Sequence, residues 1–283
     1  MSQLQTKTGP ASQHPKKQKK AEKPAEYVEG LAKGLAIIEC FDAGHREMTL
    51  SEVARRVNIS PAAARRSLLT LMSLGYVGQS DKRFHLRPKV MALGTAYYVS
   101  AQIEELLQPD LRRVVELFGD ACSVGTRDNQ HVIYIAHVSV QRARRASAMV
   151  GARYPAYATS LGRVLLSGLS DAALDDYLAE ADLQPLTGKT VTDREQLREI
   201  VIETRKNGYA TAVDQLDYGV TALAVPIRGQ GNEIIAALNT SGYTGMVSPE
   251  QLVSERLVEM QRTASAITAA IARYPALAAS IRF

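Results

Sequence analysis

A pair of helix starts separated by a tight turn constrains this chain more than any other feature. Thr49 stands immediately before "LSEVARRV" with Glu52 three positions on, so each side chain can satisfy a free backbone N–H of the other and open a helix near Leu50. "VNIS" is a tight turn. Ser60 then caps a further helix whose first position is Pro61, where a missing N–H costs nothing. That helix is predicted to run to about Leu74, where Gly75 ends it, with Leu68, Leu71 and Met72 as its apolar stripe. Upstream, "YVEGLAKGLAIIECF" spaces Val28, Leu31, Leu35, Ile38 and Phe41 by three or four residues, which predicts an amphipathic helix over Tyr27 to Phe41 that "HREMT" breaks. Downstream, "YVGQSDKRFHL" gives two strand-like pieces, Tyr76 to Gly78 and Phe84 to Leu86, around the turn "QSDKR". Together these are a winged helix-turn-helix pattern.

The charges fit that pattern. Residues 1–90 hold 16 Lys and Arg against 8 Asp and Glu, whereas the remainder holds 18 against 21. The basic character is local, as expected of a polyanion-binding end, although a solvated charge excess has the same composition. Ser60, Ala62, Ala63, Arg65 and Arg66 start the helix that should enter the major groove, where arginines make bidentate bonds to guanine. Lys82 and Arg83 in the wing are expected to reach phosphates or the minor groove. Three helices packed only for stability would leave these arginines unexplained.

The first 25 residues are predicted to be a disordered basic tail, having too few large apolar side chains to offset ordering entropy. The winged domain is assigned to residues 26–88, a linker helix to 89–101, a second domain to 102–275 and a C-terminal tail to 276–283. Helical periodicity runs from Pro88 to Phe118 with an interruption at Pro109, and "ACSVGTRD" and "HVIYIAHVSV" read as a hairpin. Helices are expected at Gly162 to Gly168, Asp171 to Ala179 and Asp193 to Lys206, strands at Tyr209 to Val213, Thr221 to Ile227 and Glu233 to Asn239, and a last helix from Pro249 to about Arg273. The fold class is α+β. No run of about 18 uncharged apolar residues and no apolar signal core appear, so a cytoplasmic protein is expected. Cys40 and Cys122 read as buried thiols.

Catalytic signatures are missing. The five histidines show no metal-ligand spacing, and there is no nucleophile elbow, Walker loop or dinucleotide fingerprint, so neither a metal nor a cofactor is expected. In "GARYPAYATSLGR", Thr159 or Ser160 can cap a helix whose free N–H groups would hold a carboxylate, with Arg153 adding a charge-assisted pair. An ordinary capped helix is the plain alternative. Asp214 and Asp217 lie in the connection between two strands, and Asn239 and Ser241 at a strand end, a polar lining suited to a small-molecule pocket.

These stretches, in this order, resemble the IclR family of bacterial transcription regulators over roughly Glu26 to Pro275. "GARYPAYATSLGRVLL" and "AVPIR" with "IIAALNTS" are similar to its subgroup controlling protocatechuate, p-hydroxybenzoate and β-ketoadipate catabolism. The resemblance implies a GAF-like effector-binding domain after the linker helix. It also implies a homodimer formed through the DNA-binding halves and often assembled as a dimer of dimers. Its ligand pocket would involve Tyr154, Thr159, Ser160, Leu161, Asp214, Ala222, Asn239 and Ser241. This chain departs from the family in a "VDQ" segment one residue short and in a wing with Lys82 and Arg83 where many relatives carry a glycine.

The expected function is a regulator that binds double-stranded operator DNA and responds to a small aromatic or dicarboxylic acid. A small-molecule enzyme acting on an aromatic acid through Asp214, Asp217 and His137 is the rival from another class, and a nonspecific architectural DNA-binding protein is a second.

Overall fold

The computed structural model describes residues 24–140 and 148–281, so the predicted basic tail lies, up to residue 23, outside the described residues. The chain divides into two compact units at Val90 and Met91.

The first unit contains α1 (Glu29–Glu39), β1 (Glu47–Thr49), α2 (Leu50–Arg56), α3 (Pro61–Ser73), β2 (Val77–Ser80) and β3 (Arg83–Leu86). The capping box forms: the Thr49 N–H donates to Glu52 Oε2 at 2.7 Å, and the Glu52 N–H donates to Thr49 Oγ1 at 3.4 Å. Asn58, at φ +55°, turns the chain into the left-handed region that Asn tolerates, and Ser60 Oγ then accepts from the Ala63 N–H at 3.3 Å to start α3. Ile37, Met48, Val53, Leu68, Leu71, Val77 and Phe84 close the core.

Three expectations change here. "HREMT" does more than break a helix, since Glu47–Thr49 forms β1, which pairs antiparallel with β3 to give the sheet order β1-β3-β2. The wing turn is only Asp81 and Lys82, because Ser80 and Arg83 are already paired. The stripe of α1 holds only at its end: Ile38 and Phe41 pack against the core, but Val28, Leu31 and Leu35 are exposed, and Ile37, outside the stripe, is fully buried.

The second unit is built on a six-stranded antiparallel sheet of order β6-β5-β4-β9-β8-β7. Its helical entry is α4 (Met91–Ser100), α5 (Ile103–Leu106) and α6 (Gln108–Phe118). The break falls at Gln102, at φ +52°, and Pro109 sits inside the first turn of α6 where it is tolerated, so the predicted interruption at Pro109 is corrected. The strands are β4 (Ala121–Asp128), β5 (His131–Ser139), β6 (Arg153–Pro155), β7 (Ala210–Val213), β8 (Val220–Arg228) and β9 (Ile234–Tyr243). Between β6 and β7 lie α7 (Ser160–Ser167), α8 (Asp171–Glu180) and α9 (Arg194–Asn207), and α10 (Pro249–Ala272) and α11 (Pro275–Ser280) end the chain. Helices cover both faces. Leu111, Val124, Leu223, Leu238, Met260 and Ile267 pack between the sheet and α6 with α10, while Val132, Leu161, Val164, Leu174, Leu197 and Ala237 pack on the α7 side.

A buried ion pair ties the first of these layers together. Arg256 on α10 donates to Asp120 Oδ2 at 2.8 Å and to Thr240 Oγ1 at 3.1 Å, and its guanidinium lies over the Phe118 ring. Cys40 and Cys122 are both buried free thiols, and burial pushes each thiol pKa up.

The expected C-terminal tail at 276–283 is corrected as well. Leu277 and Ile281 are buried in the main core, and Thr126 Oγ1 donates to the Ile281 carbonyl at 3.1 Å. Leu277→Ala is therefore expected to cost about 2 to 5 kcal/mol in urea denaturation of the full chain. A loss within about 0.5 kcal/mol, normal for an exposed tail position, would remove α11 from the core.

Candidate functional sites

Helix α3 divides its residues between two roles. Ala63, Ala64, Leu68 and Leu71 face the core, whereas Ser60, Ala62, Arg65 and Arg66 are exposed. Ala63 is thus a packing residue and not a DNA-facing one, because it points inward about two turns ahead of Leu71. Arg65 and Arg66 make no side-chain ion pair among the described residues and project from the first turns of α3 as free donors. The wing is more divided than its sequence suggests. Lys82 is exposed at the tip, but Arg83 lies 3.5 Å from Glu47 Oε1 and 3.6 Å from Glu52 Oε2, and it donates to the Glu47 carbonyl at 3.4 Å. Arg83 therefore belongs first to the β1-β3 junction.

The second candidate site begins at the start of α7. Thr159 is the cap, its Oγ1 accepting from the Gly162 N–H at 3.0 Å. A Cβ at position 162 would fall 2.0 Å from the Ala156 carbonyl oxygen, so only glycine lets the helix start this close to the preceding turn. Leu161 then reaches the sheet at Gly125, where a Cβ would lie 3.2 Å from Leu161 Cδ1 and 2.6 Å from Val132 Cγ1. Gly125 sits where the β4–β5 register shifts.

Strand register places the polar residues beneath this helix. Leu238 faces the α10 layer and Thr240 reaches Arg256 there, so Asn239 and Ser241 face the α7 side by strand alternation. Across the sheet, His137, Ser123, Asn239, Ala224 and Ala210 are successive Cα partners. The next row is Ser139, Ala121, Ser241, Ala222 and Ala212. Polar side chains lie over β5, β4 and β9, and small ones over β8 and β7. Ser123 Oγ and His137 Nδ1 are 3.0 Å apart.

Two groups on this face are out of balance. Ser160 is 1% and Asn239 4% exposed, yet Ser160 Oγ and Asn239 Oδ1 have no hydrogen-bond partner among the described residues. Each orphaned group costs about 1 to 3 kcal/mol. A ligand that hydrogen-bonds to both would recover this cost. Two open clefts of about 500 Å³ lie elsewhere, the first at the far end of α7 around Ser167, Arg205 and Arg228. Arg205 is already spent there on two carbonyls and Asp171. The desolvated unpaired atoms favour the α7–β9 face over either cleft.

The remaining sequence candidates separate. Tyr154 stacks edge-on against Tyr134, with ring centroids 5.0 Å apart, and borders the α7 core. Arg153, the exposed residue of β6, is paired with Asp128 of β4 and is not the anion partner expected of it. Asp214, at φ +52°, accepts from the Gly219 N–H and from Thr244 Oγ1, each at 2.8 Å. Its carboxylate holds the β7–β8 connection. Asp217 is exposed, and neither aspartate bonds to His137 among the described residues, so the three groups of the enzyme reading do not assemble. No cluster of three potential metal ligands occurs among the described residues. Sequence reasoning passed over Arg163, a buried cation in the apolar run "SLGRVLL" whose only signal was a charge among leucines.

Known proteins share this arrangement. The IclR helix-turn-helix domain matches residues 30–81, and the C-terminal domain of bacterial IclR transcriptional regulators matches residues 95–269. The Pca regulon regulatory protein of Pseudomonas putida is 36% identical, covering 80% of this chain and 78% of that protein. The p-hydroxybenzoate hydroxylase transcriptional activator of Acinetobacter baylyi is 32% identical, covering 85% and 90%. A crystallised transcriptional regulator of Rhodococcus sp. RHA1 is 40% identical, with a TM-score of 0.72 over 87% of this chain and 99% of that one. The winged helix-turn-helix, the layered sheet and these likenesses lead to one assignment: the chain belongs to the IclR family of bacterial transcription regulators.

Proposed function

We propose that this regulator reads operator DNA with Arg65 and Arg66 and that a small aromatic carboxylate bound between α7 and β9 controls it. The observation that carries the second half is the pair of buried, unpartnered polar groups, Ser160 Oγ and Asn239 Oδ1, on the face that α7 covers. The N-terminal end of α7 favours an anion, and Thr159, Ser160 and Leu161 start that helix. Ala222 and Ser241 extend the lining. Relatives that bear the names of Pca and p-hydroxybenzoate hydroxylase regulators support an acid of aromatic catabolism. Control follows if the acid binds one arrangement of the oligomer better than another and so shifts the DNA-competent population.

The same proposal includes a homodimer that pairs into a dimer of dimers in the cytoplasm. Its support is the exposed apolar stripe of Leu31 and Leu35 on α1 with Val28 just before it, a face that a monomer leaves in water. No described helix is long and apolar enough to cross a membrane.

Arg65→Ala and Arg66→Ala are each expected to weaken operator binding by about 1 to 3 kcal/mol in fluorescence anisotropy at fixed salt. Unchanged affinity in both folded variants would remove α3 from base reading. Ser160→Leu should abolish the response to 4-hydroxybenzoate while ligand-free DNA affinity stays near wild type; a normal titration would contradict the pocket. Asn239→Leu replaces an unsatisfied amide with an apolar side chain of similar size. The ligand-free variant should gain about 1 to 2 kcal/mol of stability in urea while binding the acid less well. Loss of stability would mean that Asn239 is paired in solution.

A further inference from the structure

The strongest unexplained group in the second unit is Arg163. It is 5% exposed, and its fork donates to the Thr211 carbonyl from Nη1 at 2.9 Å, to Gln215 Oε1 from Nη2 at 2.9 Å and to the Tyr157 carbonyl from Nε at 3.4 Å. Every one of these acceptors is neutral. The guanidinium carries more N–H groups than they use. No carboxylate lies within ion-pair distance of it among the described residues. Burial pushes its pKa down to about 10, with no neighbouring acid raising it again. Asp214, next in sequence to Gln215, is committed to Gly219 and Thr244.

Arg163 and Arg256 are the only buried cations among the described residues, and Arg256 is neutralised by Asp120 on the opposite face of the sheet. The α7 side therefore buries one uncompensated positive charge. Desolvating such a charge without a counter-ion is costly, and an anion placed beside it offsets that cost. Arg163 follows Ser160 by three residues, so both share one side of α7 near its positive end.

Resting on the α7–β9 face as the effector site, we infer that Arg163 reads the charge of the ligand and that the ligand is a monocarboxylate with a neutral polar group at its other end. One carboxylate balances the one buried cation that has no carboxylate partner among the described residues. A second carboxylate would be buried over Asn239 and Ala224, whose side chains carry no charge, while His137 at the end of that row is engaged with Ser123 Oγ through Nδ1 at 3.0 Å. A hydroxyl there can donate to the orphaned Asn239 Oδ1. Arg163 is in this sense a specificity residue, and its bonds to Thr211 and Gln215 hold the fork in place.

The test is calorimetric titration of the full-length protein with 4-hydroxybenzoate, its neutral amide 4-hydroxybenzamide and adipate, in wild type, Arg163→Gln and Arg163→Lys. Wild type should prefer the acid over the amide by at least about tenfold and should bind adipate more weakly than 4-hydroxybenzoate. Arg163→Gln should bring the acid-to-amide ratio close to one, and Arg163→Lys should keep most of it. If Arg163→Gln weakens both ligands by the same factor, Arg163 is only a clasp and the inference is overturned. Tighter binding of adipate would overturn the monocarboxylate class. Should the Gln variant not fold, equal wild-type affinity for acid and amide would overturn the inference, and a retained preference in both wild type and the Lys variant would support it. Wild-type protein that binds none of the three acts against the site assignment itself, a result separate from any loss of charge preference.

Discussion

The second unit depends on how closely helix α7 approaches its surroundings. A Cβ at position 162 would overlap the Ala156 carbonyl, and one at position 125 would crowd Val132 and Leu161. Glycine at both places lets the helix start low against the sheet, which buries every residue from Ser160 to Ser167. Such close packing gains dispersion contacts and buries whatever polar groups the helix carries inward. Ser160 and Arg163 are carried inward with it. Among the described residues Ser160 Oγ has no hydrogen-bond partner and Arg163 no counter-ion, and both conditions follow from that approach.

Much of the fold was legible because it rests on local rules. The Thr49–Glu52 box, the Ser60–Pro61 start and the β8–β9 alternation each involve residues within a few positions of one another, where caps and periodicity act. The failures share a different cause. The α1 stripe of Val28, Leu31 and Leu35 has the spacing of a core face, but spacing cannot say whether the core of the same chain lies opposite it. Likewise α11 looked like a tail because its docking partner, Thr126, is far away in sequence. Strand β1 is three residues long and exists only because β3 pairs with it.

Charged residues were read least well, for a related reason. Arg83, Arg153 and Asp214 all have the residue type that binding requires. Each is spent on a partner that folding supplies: Glu47 and Glu52, Asp128, and the Gly219–Thr244 turn. Arg163, by contrast, had no motif to recommend it beyond its place in an apolar helix. A cation is available for a ligand only where the fold denies it an acid, and that is a property of three-dimensional placement. Arg65 and Arg66 meet the same criterion on the surface, since α3 turns them away from the core that Leu68 and Leu71 close.

These two kinds of unpaired cation behave differently toward their targets. On α3 the guanidinium groups are exposed, so the phosphate and base contacts proposed for them would gain mainly from counterion release and from bidentate geometry, and their worth would fall with salt. Beneath α7 the cation is already dehydrated, and part of the cost of binding an anion is met during folding. On the proposed reading a ligand-free pocket of this kind is a destabilised state, with Ser160 and Asn239 adding bonds that no described residue meets. Binding then stabilises the second unit by mass action, in proportion to how much tighter the acid holds the folded form than any loosened one. That differential is what a sensor needs. A pocket satisfied without its ligand would bind weakly and change little, whereas one assembled around a missing charge distinguishes the empty state from the filled one by construction.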